Sequence, residues 1–311
     1  MKRILTFIGL LACFISNAQT IDDVLRYSQE NLQGTARFQA MGGAFGALGG
    51  DMSSININPA GSAVFNNSLF TISGTYYDTN TELEYRGSFL QSDNNTLDMN
   101  QLGGAFVWKS TDPDSSWKKV SLAINYDIVQ NFDDFSISGG LGTEGIDNYF
   151  LNYADGIQLQ NLRIRDGETV SDAYLDIGAT NGLGFGGQQA FLGFQTGIIE
   201  PTVDEVENTE YFANENYTEV NQDYRETTGG YNSKVIVNAG TQFEDFLYLG
   251  AAMNFHTVLF DKYSRYSEDF FNLDDELRTV RFDNRLRTEG SGFSFSLGAI
   301  AKLNQFVRIG G

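Results

Sequence analysis

Residues 120–128 set Val120, Leu122, Ile124, Tyr126 and Ile128 against Ser121, Ala123, Asn125 and Asp127 in strict alternation. Successive side chains of a strand point to opposite faces, so this run predicts one greasy face and one wet one. Residues 247–259 repeat the pattern, with Leu247, Leu249, Ala251, Met253, Phe255 and Leu259 alternating with Tyr248, Gly250, Ala252, Asn254 and His256. Further strands are predicted over 70–85, 97–108, 234–243 and 281–302, and another begins at Phe306. About seven strands are readable in this way.

The joints carry a second signal. Those at 110–117, 244–246 and 303–305 are short, whereas 133–230 and 261–277 are long and acidic. With 70–85 as one strand and a loop at 87–95, short and long joints alternate. Outer-membrane barrels have this asymmetry of short periplasmic turns and long external loops. A soluble β-sandwich also alternates apolar and polar residues, but its joints need not alternate in length. The fold class read from the pattern is therefore all-β, an antiparallel transmembrane β-barrel. Aromatics at strand ends (Tyr76, Trp108, Trp117, Phe243, Phe246, Phe260) fit interfacial girdles, although β-propensity alone also favours them there.

Two segments depart from period two. Residues 21–28 predict a short amphipathic helix with Asp22 and Asp23 at its favourable N-terminus. Residues 188–199 place Phe191, Phe194 and Ile198 at i, i+3 and i+7, a helical face inside the longest loop. That face either covers a barrel mouth or collects hydrophobic ligands.

Composition narrows the class further. The 311 residues include 34 Gly, 25 Phe and 15 Tyr but 3 Pro, with a net charge of −20. Many aromatics in a polar average suit strands that face lipid on one side and water on the other. The negative charge excludes nucleic acid as a partner, since phosphates would be repelled. Lys2 and Arg3, an apolar run over 4–15 and the Ser16-Asn17-Ala18 site read as a signal peptide cleaved before Gln19. Leu10-Leu11-Ala12-Cys13 loosely matches a lipoprotein box, but the apolar run continues past it. Cleavage after Ala18 removes the one cysteine, leaving no disulfide, thiolate or Cys ligand.

A distinctive stretch links the first helix to the first strand. Residues 34–51 read Gly-Thr-Ala-Arg-Phe-Gln-Ala-Met-Gly-Gly-Ala-Phe-Gly-Ala-Leu-Gly-Gly-Asp, and Asn58-Pro59-Ala60-Gly61 follows shortly after. This resembles the N-terminal hatch of the FadL/TodX family of outer-membrane transporters for long-chain fatty acids and other hydrophobic compounds. The likeness is strong over residues 20–85 and elsewhere rests on strand rhythm. It implies a fourteen-stranded barrel plugged by the hatch, of which this chain carries about half, with Asp51, Asn58, Pro59 and Ala60 at the family's signature positions. It also implies sideways exit of ligand where a wall strand kinks. The corresponding strand here, over 118–135, has neither Gly nor Pro before Ser138, so no local device for a kink is visible. From the residues alone, small side chains suit a compact irregular plug, and Pro59 biases Asn58 toward extended backbone.

The expected organisation is a signal peptide over 1–18, a helix and hatch over 19–67, and a partial barrel over 68–311 with an extracellular loop at 133–230. The expected ligand-binding residues are Phe38, Met41, Phe45, Asn58, Pro59 and Ala60 in the hatch, with Phe191, Phe194 and Ile198 as a collecting face. The expected function is passive uptake of hydrophobic small molecules such as long-chain fatty acids by a monomer in outer-membrane lipid, with no cofactor or metal. A structural or adhesive surface barrel is the alternative. Gly182-Leu183-Gly184-Phe185-Gly186-Gly187 has G-x-G-x-x-G spacing but follows no βαβ strand. His256, the one histidine, has no G-x-S-x-G elbow to serve. The acidic run from Asp204 to Glu219 lacks calcium-loop spacing.

Overall fold

A computed structural model describes residues 21–214, 217–270 and 277–311. The signal segment 1–18, with Cys13 and the Ser16-Asn17-Ala18 site, lies outside the described residues. The chain opens with α1 (Ile21–Ser28) and the short α2 (Ala36–Ala40). The wall is built from β1 (Leu69–Tyr85), β2 (Ser88–Lys109), β3 (Trp117–Asn131), β4 (Asp134–Gly142), β7 (Val220–Phe243), β8 (Leu247–Phe270), β9 (Thr279–Lys302) and β10 (Arg308–Gly310). All lie in one antiparallel sheet of order β1-β2-β3-β7-β8-β9-β10, with β4 also pairing β7. The sheet curls as a half-barrel.

Alternation holds across the wall. Val120, Leu122 and Ile124 on β3, Val235 and Val237 on β7, Met253 and Phe255 on β8, and Phe293, Phe295 and Leu297 on β9 are exposed on the outer face. Their neighbours Ser121, Asn125, Asn238 and Ala252 are buried on the inner one. On β9 the outer band from Phe293 to Ala301 covers roughly 27 Å along the strand at ~3.4 Å per residue. Aromatics close it at the short-turn end, where Trp117 packs edge-on to Phe243 at 5.0 Å. At the other end it gives way to cross-strand ion pairs, Arg265–Asp283 at 2.8 Å and Arg285–Asp261 at 2.5 Å. Such exposed pairs contribute about 0–1 kcal/mol, so their importance is positional. They mark where the outer face becomes hydrophilic.

Several joints differ from their sequence reading. Residues 87–95 form no loop. Arg86 and Gly87, with φ of 47° and 85°, make a two-residue turn and β2 begins at Ser88. The stretch 133–230 is strand at both ends, as β4 and the first half of β7, so the excursion spans only 143–219. Likewise β8 runs on to Phe270.

That excursion is a helical cap. It holds α3 (Asp147–Ala154), α4 (Val170–Ala179), α5 (Gly184–Gln195) and the hairpin of β5 (Ile199–Pro201) with β6 (Tyr211–Ala213). Phe150, Leu162, Ile177, Phe191 and Ile199 form its core, which is sealed onto the wall by Val220, Phe270 and Val280. α5 lies about four residues earlier than the i, i+3, i+7 pattern indicates. It ends in a Schellman motif: Gly197 takes φ 71°, Ile198 N donates to the Gly193 carbonyl at 3.0 Å and Gly197 N to that of Phe194 at 3.1 Å. Ile198 is thus the hydrophobic residue after the cap glycine rather than a member of the helix.

Candidate functional site

The segment between α1 and β1 packs against the inner face of the wall. Three polar side chains organise it by capping. Thr35 Oγ1 accepts from Phe38 N at 3.1 Å and donates to the Asp51 carboxylate at 2.8 Å. Asp51 accepts from Ser53 N at 2.9 Å and starts a 3₁₀ turn over Met52–Asn56. Asn58 accepts from Ala60 N at 3.0 Å and starts another over Pro59–Val64, with Pro59 at its favoured first position. Gly49 and Gly50, at φ of 62° and 69°, supply the left-handed backbone that lets the two halves meet.

The second turn sits on a row of glycines. Ser121, Gly240, Gly250 and Gly298 stand in register across β3, β7, β8 and β9. A Cβ at Gly250 would overlap the Pro59 carbonyl, one at Gly298 the Asn58 side chain, and one at Gly240 the Ser62 hydroxyl. Side-chain-free strands therefore let backbone seat on backbone. Asn58 Nδ2 donates to Gly46 O at 2.7 Å and to Ala299 O at 3.0 Å, and Asn238 Nδ2 donates to Pro59 O at 2.9 Å. Asn58, Pro59 and Ala60 are all buried where the segment meets the wall.

A seam opens beside the segment. The β2–β3 ladder runs from Lys109↔Lys119 only to Gln101↔Asp127, while β2 stays paired with β1 to the hairpin tip. The β3–β7 register shifts between Ile128 and Gln130, a bulge at Val129. The Val129 carbonyl instead accepts from Asn31 N at 3.3 Å. The strand over 118–135 thus carries an irregularity at Val129 and ends at Asn131 despite having no Gly or Pro, and the N-terminal segment bonds it at the same residue. Above the seam, β2 meets β4 through side chains, with Ser92 Oγ donating to Phe135 O at 3.0 Å.

A cavity of about 160 Å³ lies at this point, between Leu32, Phe38 and Ile57 of the segment and Ile128 and Val129 of the wall. Asp127, Asn56, Gln33, Glu30 and Lys234 form its polar side. Asp127 is buried, and its Oδ2 accepts from Asn56 at 2.7 Å and Asn125 at 2.6 Å. Asp127 Oδ1, Asn56 Oδ1 and Gln33 Oε1 are buried acceptors with no donor among the described residues. Lys234 Nζ stands 3.9 Å from Glu30. The site therefore offers an apolar wall, surplus acceptors and a cation that already has a partner.

Comparison with family models, curated proteins and solved structures finds no match. The functional reading accordingly stands on the geometry.

Of the aromatics in this segment, Phe38 lines the cavity, and Phe45 lies behind it, fully buried, with ring centroids 5.4 Å apart. Met41 is 43% exposed and lines neither this cavity nor the cap. Phe191, Phe194 and Ile198 line no part of this cavity; they pack within the cap's own core. Asp127 and Lys234 were missed by sequence reasoning, although Asp127 was visible as the acidic member of the wet face in 120–128. Phe45→Ala is expected to destabilise the segment by about 3–5 kcal/mol. Hydrogen exchange should quicken over 34–66 while the wall amides stay protected.

Proposed function

We propose that this is an outer-membrane β-barrel protein that passively admits hydrophobic small molecules along a plugged inner face. The observation that carries this reading is the outer apolar band, closed by aromatics at one end and ion pairs at the other, on a wall whose inner face is occupied by the N-terminal segment. Soluble sheets turn their apolar face inward, whereas this sheet does the reverse. With strands tilted by about 40°, as barrel strands are, the band spans roughly 20 Å along the membrane normal, close to the ~25 Å apolar belt of outer-membrane barrels.

The seam supplies a route. An apolar molecule held against Phe38, Ile57 and Val129 is next to the place where β2 leaves β3, so a sideways step carries it toward the outer face without crossing water. Such movement is downhill and uses no energy source. The expectation is recovery of the full-length protein in the outer-membrane fraction; recovery among soluble periplasmic proteins would refute the location. For the route, Asp98 and Asn131, already hydrogen-bonded across the seam, are replaced by cysteines. Oxidation should bring uptake of a labelled hydrophobic compound to background and reductant should restore it. Equal uptake in both states would rule out the seam.

A further inference from the structure

A second cavity lies under the cap, on the inner face of β7, β8 and β9. It measures about 350 Å³ and is walled by Tyr149, Tyr224, Tyr266 and Phe282, with Ser264 and Asn284 between them. That volume is at the lower end of the range for small-molecule sites. Among the described residues, no basic side chain lines it.

Carboxylates stand behind the rings. Tyr224 donates its hydroxyl to Glu226 Oε2 at 2.6 Å, and Tyr266 donates its own to Glu268. A phenol hydrogen-bonded to a carboxylate pushes electron density into its ring, which deepens the negative potential over the face. The neighbouring cation, Lys262, is neutralised by Glu226 at 2.6 Å. Glu268 also accepts from Ile146 N at 2.9 Å, so this carboxylate stands where the Ile146 and Tyr266 walls of the cavity meet. Aromatic faces backed by carboxylates attract a positive group and repel a carboxylate.

The seam cavity points the same way through a different observation. Its unsatisfied atoms are Asp127 Oδ1, Asn56 Oδ1 and Gln33 Oε1, all acceptors. A ligand that satisfies them must bring donors. An ammonium group does so, and a carboxylate anion cannot.

We infer that the cap cavity is a binding site for apolar or aromatic molecules carrying an ammonium group, and that these, rather than fatty-acid anions, are the hydrophobic compounds the protein takes. The substrate class rests on the uptake reading above; the binding site itself does not. A matched series separates the possibilities. 4-Phenylbutylammonium, 4-phenylbutan-1-ol and 5-phenylpentanoate share one apolar body and differ in head-group charge. Titration calorimetry on the full-length protein in neutral detergent should give an affinity for the ammonium compound at least about tenfold above that for the alcohol. The carboxylate should not bind measurably.

Tyr224→Leu, which keeps apolar bulk without the ring, should abolish the preference for ammonium over alcohol, while Tyr224→Phe should retain most of it. Equal binding of ammonium and alcohol, tightest binding by the carboxylate, or an unchanged preference in Tyr224→Leu would each overturn the inference. Because titration needs no membrane, ammonium binding without uptake would refute only the transport reading. Uptake without ammonium preference would refute only this one.

Discussion

Gly250→Ala is expected to unseat the N-terminal segment and raise ion conductance through the protein in planar bilayers. The added methyl is the smallest possible change, but the atoms it meets are the Pro59 carbonyl and Ala60 N, which belong to backbone and cannot swing away. Overpacking of this kind costs ~1–3 kcal/mol. Lifting Pro59 also strains the bond from Asn238, and a buried polar group left unpaired costs a further ~1–3 kcal/mol. A total near 3 kcal/mol shifts the seated-to-unseated ratio roughly a hundredfold. Gly290→Ala is the control, since its Cβ would lie 3.8 Å from that of Val258, an ordinary contact. Low conductance in Gly250→Ala, equal to that of Gly290→Ala, would show that the glycine row does not seat the segment.

Replacement of Glu268 by Leu is expected to free the cap. Glu268 is fully buried and accepts from Ile146 N at 2.9 and 3.0 Å, from Gln222 Nε2 at 2.9 Å and from the Tyr266 hydroxyl. One carboxylate thus joins the start of α3 to two wall strands. Leucine leaves the buried Ile146 N without a partner and takes one partner each from Gln222 Nε2, which keeps the Glu144 carbonyl, and from the half-buried Tyr266 hydroxyl, a loss of about 2–4 kcal/mol. A second polar tie is near: Tyr217 donates to Asp147 at 2.5 Å, and burial together with that carboxylate holds the Tyr217 phenol protonated far above its usual range. Limited proteolysis should cut within 143–219 in the Leu variant and leave the wall intact. A cap as resistant as wild type would assign its attachment to the apolar core alone.

How much of this was legible depends on where the two faces of a strand differ. Over 120–128 and 247–259 one face meets apolar surroundings and the other polar ones, so hydropathy alternates and the strands declare themselves. Farther along the same strands both faces are polar. Asp261, Tyr263 and Arg265 alternate with Lys262, Ser264 and Tyr266, and nothing in their hydropathy separates strand from loop. For that reason 87–95, 133–142, 220–230 and 261–270 read as joints. The bulge at Val129 was hidden because no Gly or Pro marks it, and the Asn31 amide that bonds it lies nearly a hundred residues earlier in sequence, outside any local pattern. The glycine row was hidden differently. Gly240, Gly250 and Gly298 mean little singly and acquire meaning only when cross-strand register aligns them. The capping residues Thr35, Asp51 and Asn58 could have been found, because each is a favoured N-cap residue before a short turn.

The bond from Asn58 to Ala299 joins residues 241 apart, and that from Asn238 to Pro59 joins residues 179 apart. During synthesis the N-terminal segment emerges first, yet the surface that receives it exists only after β9 has paired with β8. Contacts of such sequence separation form slowly, because loop-closure entropy must be met before they stabilise anything. Maturation therefore has an enforced order in which the oldest part of the chain docks last. Between those events its Phe38 and Phe45 have no partner surface and need shielding from other chains. Pulse-labelled hydrogen exchange should accordingly find amides of β7 and β8 protected before those of 52–64.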